Sequence, residues 1–362
     1  MLFRRFVTSI AYVIYATLMA AFLAGYTARF VHPGTFWWLQ LVAIPLPYLS
    51  AVVVLAALPL LLARRWKLLA FNVALMVLVA IRFAPTGGGA DPTEFAVGER
   101  LSIMTLNYPS QYSRDGGSRS LALLNLVSKE RPDVIGLQEG WAHYSEDGSP
   151  LNPRRDMTVL TDSAAYLTLG PQGRDRSVSH VPIYSLFPLD QVNRFILGPD
   201  RSGFGAGVTR AEATWRRRTL VIYNIHLQSF GSKKPWREEN TRWLNPRTVI
   251  RYLRQYRNAI VRRSGQAEQL AAMLKDETDP VIVMGDFNST RHNWDFNHIR
   301  EGFQDAFAIA GSGRGATYHA RYRFARIDFI LASPEFFVLS AHVPRVVLSD
   351  HRPVVASVAW RE

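Results

Sequence analysis

Eight residues of this chain carry oxygen or imidazole side chains that end or follow a short apolar run. They are Asn107 in MTLNY, Glu139 in GLQE, His226 in YNIHLQ, Asp286 and Asn288 in MGDFNST, Asp328 in RIDFIL, and Asp350 and His351 in LSDHRPVV. Carboxylates and a carboxamide are hard oxygen ligands of the kind that hold a divalent cation. Imidazoles move protons near neutral pH. A phosphodiester is anionic and repels hydroxide, so its hydrolysis needs a cation to neutralise developing charge, a base to make water nucleophilic, and help for the leaving oxygen. Each residue alone is weak evidence, because Gly-Asp-x-Asn is also a turn and an Asp-His pair is usually surface. Their joint occurrence in this order points to phosphoester cleavage.

Strands must position such residues, since a sheet presents functional side chains at its strand ends. Strands are predicted at 101–107, 133–138, 164–169, 180–186, 204–213, 218–227, 280–285, 326–332, 336–347 and 353–360, all rich in Val, Ile, Leu, Tyr and Phe and separated by turn residues. Helices are predicted at 118–130 and 247–275. The second has apolar residues at 249, 253, 256, 260, 267, 270, 271 and 274, near a 3.6 period. Many strands with few helices argue for a two-sheet core flanked by helices. On the long helix Arg247, Arg251, Arg254, Arg257 and Arg262 form a second stripe. It is either a solvated face or a phosphate- or membrane-facing one. Upstream, Trp236 and Trp243 alternate with Lys233, Lys234, Arg237 and Arg242. That mixture suits a headgroup interface, nucleic-acid stacking or an ordinary surface loop.

The GDFN and SDHRPV motifs downstream of LQE resemble those of the endonuclease/exonuclease/phosphatase superfamily, in its deoxyribonuclease I-like and sphingomyelinase-like branches. The resemblance covers 98–362. It implies an α/β fold, a four-layer α/β sandwich with the site at one edge of two central sheets. It implies Glu139 as the main metal-binding carboxylate, with Asn107 and Asp350 as further metal or water ligands, for Mg2+ or Mn2+. His351 would be the general base and Asp328 the carboxylate that orients it. Asp286 and Asn288 would position the nucleophile and bind phosphoryl oxygens, and His226 would contact the phosphate or protonate the leaving oxygen.

Residues 1–85 read as a helical membrane region of about three transmembrane helices, and 86–97 as a linker before the catalytic domain at 98–362. Phe6–Ala28 is uncharged over 23 residues, enough to cross a hydrocarbon core of about 30 Å. Pro33–Ala63 is a second uncharged run, with Pro45, Pro47 and Pro59 expected to kink or break it and Phe36, Trp37 and Trp38 placed as an interfacial belt. Leu68–Ile81 is a third, only 14 residues between Lys67 and Arg82. Arg4, Arg5, Arg64, Arg65 and Lys67 fall on one side of such a topology. The positive-inside rule then predicts an integral protein of the inner (plasma) membrane with the catalytic domain periplasmic or extracellular. Two crossings instead of three would reverse that.

Of the net charge of +13, the first 90 residues supply seven basic groups and no acidic one, leaving 35 basic against 29 acidic residues beyond them. That mild excess favours anionic substrates or surfaces without the charge density of a DNA-packaging protein. There is no cysteine, which excludes disulfides and thiolate metal sites. The expected partners are the lipid bilayer and an anionic phosphoester, either a lipid headgroup or nucleic acid. Three functions follow: a membrane-anchored phosphodiesterase acting on lipid headgroups or other envelope phosphoesters, a membrane-anchored nuclease cleaving DNA or RNA, or a non-enzymatic binding module on the same fold.

Overall fold

Alternation along the strands determines what each layer buries. In the computed structural model, residues 2–84, 89–109, 116–140, 142–144, 150–151, 160–161, 164, 166–168, 178–198, 206–231 and 245–361 are described. One sheet contains β1 (Leu101–Asn107), β2 (Val134–Gln138), β6 (Ile183–Ser185), β13 (Phe336–His342) and β14 (Val354–Trp360), in the order β13-β14-β1-β2-β6. The other contains β7 (Leu189–Leu197), β8 (Ala206–Trp215), β9 (Arg218–His226), β10 (Val281–Asp286), β11 (Gln304–Asp305) and β12 (Asp328–Ala332), in the order β11-β12-β10-β9-β8-β7. A small sheet joins β3 (Ala142–Tyr144), β4 (Pro150–Leu151) and β5 (Val178–Ser179).

Leu101, Ile103 and Val134 meet Ile222, Ile282, Met284 and Ile330 in the core between the two sheets. The residues in the opposite phase pack outward. Met104, Leu106, Ile135 and Leu137 pack with Leu123, Leu126 and Val127 of α6 (Gly116–Glu130). Val221, Tyr223, Val283 and Phe329 pack with Ala267, Leu270 and Leu274 of α7 (Pro246–Lys275). Helix, sheet, sheet, helix is the expected four-layer sandwich.

Both predicted helices form. The predicted strands within the described residues form with ends shifted by a few positions; 336–347 stops at His342. Of 164–169, only Leu167 bridges, to Ser185, among the described residues. The strand Leu189–Leu197 was not expected. Its pairing with β8 shifts register between Asp190 and Asn193, and Gln191 has φ of 45°, so the bulge breaks the period-2 pattern. Short helices α8 (Trp294–Ile299) and α9 (Ala306–Ala310) were also missed, being too brief for a periodic signal. All five stripe arginines of α7 are exposed. The Trp/Lys segment lies at 232–244, outside the described residues.

The N-terminal region comprises α1 (Leu2–Thr27), α2 (Pro33–Phe36), α3 (Trp38–Ala43), α4 (Leu46–Leu62) and α5 (Trp66–Phe83). The run Pro33–Ala63 is not one span. Pro45 is the N-cap of α4 and Pro47 lies in its first turn, where a missing N–H costs nothing. Pro59 sits inside α4 without ending it. The third run is longer than its uncharged stretch, because Lys67 and Arg82 are helical, and the Arg82 guanidinium lies 4.4 Å over the Tyr26 ring. Among the described residues two helices, Arg5–Phe30 and Trp66–Phe83, are long and apolar enough to cross a membrane, and Leu46–Leu62 is shorter.

These helices contact the sandwich at the loop that follows β10. Gln40 is 1% exposed. Its carboxamide donates to the Ala28 carbonyl (3.0 Å) and accepts from Asn293 Nδ2 (3.1 Å) and the Trp294 N–H (3.0 Å). Phe83 packs against His292, and Tyr48 stacks on Phe324 with ring centroids 5.7 Å apart.

Candidate active site

Strand alternation brings the motif residues together. Asn107 is in phase with Leu101 and Ile103, His226 with Leu220 and Ile222, and Asp286 with Ile282 and Met284. Asp328 is in phase with Ile330. All four therefore face the gap between the sheets. β1 and β2 are parallel, as are β9 and β10, so their C-terminal ends share one edge. β12 runs antiparallel to β10 and starts at that edge, with Asp328 opposite Asp286, which is itself opposite His226.

Asp286 is the point of convergence, and it is 1% exposed. Its Oδ2 accepts from Asn107 Nδ2 at 3.0 Å and lies 3.6 Å from His226 Nε2 and 3.8 Å from His351 Nε2. Its Oδ1 accepts the Asn288 N–H at 2.8 Å. Asn107 also reaches Glu139 Oε1 at 3.3 Å. Glu139 immediately follows β2 with φ of 58°, which turns its side chain out of the strand's phase and towards the edge. Asn288, with φ of 49°, is tied by Nδ2 to the Leu227 carbonyl at 2.9 Å.

His351 Nδ1 contacts both oxygens of Asp328, at 3.0 and 2.9 Å. This bond holds Nδ1 as the donor and leaves Nε2 facing Asp286. The Ser349 hydroxyl accepts the His351 N–H at 3.0 Å and donates to the Asn107 carbonyl at 2.6 Å, fixing the loop to β1. Burial alone would lower the His351 pKa, but the Asp328 and Asp286 carboxylates outweigh it and push it up to about 9. Asp328 is raised above the usual carboxylate range, burial being the main cause. The Asp350 carboxylate also helps raise His351, while its backbone carbonyl accepts the Ala320 N–H at 2.8 Å.

Several groups here carry no assignment from the sequence. Gln138 and Asn224, within the LQE and YNIHLQ motifs, are fully buried and bridge the sheets beneath the site. Gln138 Nε2 donates to Asn224 Oδ1 (2.6 Å), and Asn224 Nδ2 donates to the Leu137 and Pro182 carbonyls. The His180 ring lies 6.4 Å from that of His226, and its carbonyl accepts the Gly140 N–H. The Tyr318 ring lies 5.1 Å from that of His351. Gln138 and Asn224 stood inside motifs already marked, whereas the signal for His180 and Tyr318 in the sequence was no more than an imidazole or an aromatic near a strand.

Among the described residues, Asp286, Asp328 and His351 can each offer one ligand atom within 4.8 Å of the others. This differs from the expected ligand set of Glu139, Asn107 and Asp350. His351 Nδ1 and Asp328 are engaged with each other, whereas His351 Nε2 faces Asp286, whose Oδ2 in turn is linked through the Asn107 carboxamide to Glu139. The Asp286 and Glu139 carboxylates that meet at Asn107 are oxygen donors that fit a hard divalent ion, and Asn107, whose Nδ2 now faces both, would join them by turning its carboxamide oxygen to the ion.

The sequence profile described as the Endonuclease/Exonuclease/phosphatase family matches residues 104–351. None of the curated proteins matches the chain. Among solved structures it is similar to an endonuclease/exonuclease/phosphatase family protein from Leptotrichia buccalis, at TM-score 0.52 and 15% identity over 72% of this chain and 100% of that one. It is likewise similar to one from Bacteroides thetaiotaomicron, at TM-score 0.52 and 16% identity over 73% and 98%. A third, from Beutenbergia cavernae, gives TM-score 0.50 and 18% identity over 72% of each chain. At these identities the likeness is one of fold. Enzymes of the matched family are hydrolases that generally use divalent metals. The matched segment runs from β1 to His351, spans well over half of the sequence and contains every motif residue: this chain belongs to the endonuclease/exonuclease/phosphatase family.

Proposed function

We propose that this protein is a membrane-anchored, divalent-metal-dependent phosphoesterase that hydrolyses phosphodiester bonds of a lipid headgroup or another envelope phosphoester. In this reading His351 Nε2 takes a proton from the attacking water, and Asp328 stabilises the imidazolium that results. Asp286 and Asn288 orient the water and the phosphoryl oxygens. His226, on the far side of Asp286, hydrogen-bonds the phosphate or delivers a proton to the leaving oxygen. Mg2+ or Mn2+ would be held by Glu139, Asn107 and Asp350, with the Asp286 carboxylate beside Asn107, and would supply neutralisation of charge on the phosphoryl group.

The observation that carries the choice of substrate is the junction between the apolar helices and the catalytic loop. Asn293, bonded to Gln40, lies five residues beyond Asn288 on the loop that leaves β10. The site is thus held at the end of the helical region, where a headgroup would lie. The ends of the helices support the orientation. Arg65 lies over the Tyr12 ring at 5.7 Å, and Arg82 over Tyr26, so the basic turn at 64–67 is remote from the ends that meet the sandwich. With the basic turn cytoplasmic, the catalytic domain is periplasmic or extracellular.

The exposed arginines of α7 favour the second reading, a membrane-anchored nuclease, because guanidinium stripes track phosphates. A substrate panel on the full-length chain in detergent decides between them: glycerophospholipids, sphingomyelin and phosphoinositides against plasmid DNA and RNA. Turnover of nucleic acid alone would overturn the lipid reading. A C-terminal fusion reporter that is active only in the cytoplasm tests the orientation, and a positive signal would reverse it.

A further inference from the structure

A cavity of about 700 Å3 joins the helical region to the catalytic edge. Ile44, in the break between α3 and α4, stands at one end, and Asn288 and His351 stand at the other. Tyr318, Tyr322 and Phe324 line the space between them. Tyr322 is 81% exposed and Phe324 43%. Tyr48 stacks on Phe324 and His319 packs against Tyr322, so the Phe324 and Tyr322 rings and Tyr318 form one aromatic wall of the cavity. The phosphate chemistry needs none of these walls, since the groups around Asp286 all lie at the His351 end. The volume is that of a site for a small organic ligand, and such sites are mostly apolar with a few polar groups at one end.

We propose that this cavity is a subsite for the hydrocarbon chain of an amphiphilic phosphoester, entering from the bilayer past Ile44 while the phosphoester lies at His351. The inference rests on the phosphoesterase reading of the catalytic edge and narrows its substrate to a molecule whose apolar tail is bound during cleavage. The occupant follows from the two ends. Arg263, Thr290, Asn293 and His319 also line the cavity, but Phe230, Ala325 and Ile327, with Ile44 and the aromatic rings, give it a mainly apolar wall against which a hydrocarbon chain is favourably buried. A polynucleotide has no segment that belongs at Ile44. The aromatic walls could stack bases, which makes nucleic-acid binding here an outcome to be tested.

The test compares methyl and octyl p-nitrophenyl phosphodiesters, below micellar concentration, with the full-length chain in detergent. The expected kcat/KM is at least ten-fold higher for the octyl ester. The octyl-to-methyl ratio should fall towards one in Ile44→Glu and in Tyr322→Asp, the latter at an exposed position where folding is not at stake. A ratio near one in the unmodified protein, or an unchanged ratio in both variants, overturns the subsite and leaves the phosphoesterase reading intact. Absence of turnover of either ester overturns the phosphoesterase reading instead. Calorimetric binding of octylphosphonate against methylphosphonate then still reads the cavity: ten-fold tighter octyl binding supports a chain subsite and equal binding overturns it. Competition of octylphosphonate by single-stranded DNA would identify a base-stacking groove and overturn it as well.

Discussion

The carboxamide of Asn107 donates to the carboxylate of Asp286 at 3.0 Å, and each is the last residue of a strand in a different sheet. This bond closes the edge of the sandwich at the point where the two sheets come within one side chain of each other. On one side of it stands Glu139, on the other the His351–Asp328 pair. A buried carboxylate so placed is costly unless neighbouring donors or cations share its charge, and the two imidazoles and the carboxamide do so here.

Removing the groups at either side should stop the chemistry without unfolding the chain. His351→Ala and Glu139→Ala are each expected to lower kcat for a soluble phosphodiester by roughly 10²–10⁴-fold, as for loss of a general base or a charge-stabilising group. Circular dichroism should be unchanged. Near-normal rates in either variant would reject the assigned role.

The pH dependence follows from the His351–Asp328 bond. The raised His351 pKa, about 9, means that the folded state holds the imidazolium; that stabilisation is full below the ordinary value near 6.5 and is lost as pH rises through about 9. General-base activity needs the neutral ring, so kcat/KM should climb over the same interval, less steeply displaced when a bound cation repels the proton. Asp328→Asn removes the leading attraction on the imidazolium and should move the rising limb to lower pH, with a lower plateau. A limb that stays in place in this variant would show that another group titrates.

Chelation provides a separate check. EDTA should silence turnover, and Mg2+ or Mn2+ should restore it. Added metal at a hundred times its Kd should also raise the unfolding free energy by about 2.7 kcal/mol, read as a higher Tm. That shift should be reduced in Glu139→Gln. Turnover indifferent to chelator would exclude metal assistance.

The glycine of the GDFN motif has a backbone role that thermal unfolding can test. At Gly285, φ is 146°, and an added Cβ would stand 2.0 Å from the Ile225 carbonyl oxygen on the neighbouring strand. Gly285→Ala should cost about 2 kcal/mol or more and displace Asp286. Gly265, inside α7 with nothing within 4 Å of an added Cβ, provides the contrast: Gly265→Ala should be neutral or stabilise by up to ~1 kcal/mol. A Tm for Gly285→Ala equal to that of the parent would contradict the close approach.

Much of this site was legible in the chain because its determinants are local. A side chain two, four or six residues after an inward-facing Ile or Leu faces inward as well, so Asn107, His226 and Asp286 could be placed from the pattern of their own strands. Motif order and the resemblance supplied Glu139, Asp328 and His351. The bulged strand 189–197 stayed hidden because Gln191 puts the alternation out of step. Which polar groups touch was not legible, because contact depends on how two sheets stack and in what register. The convergence on Asp286, the Gln138–Asn224 bridge and the ligand-capable trio were decided there. The same holds at the junction: an apolar N-terminal quarter can be read from composition, but the insertion of Gln40 between Asn293 and Trp294, and the cavity from Ile44 to His351, arise only when segments some 250 residues apart in sequence pack against each other.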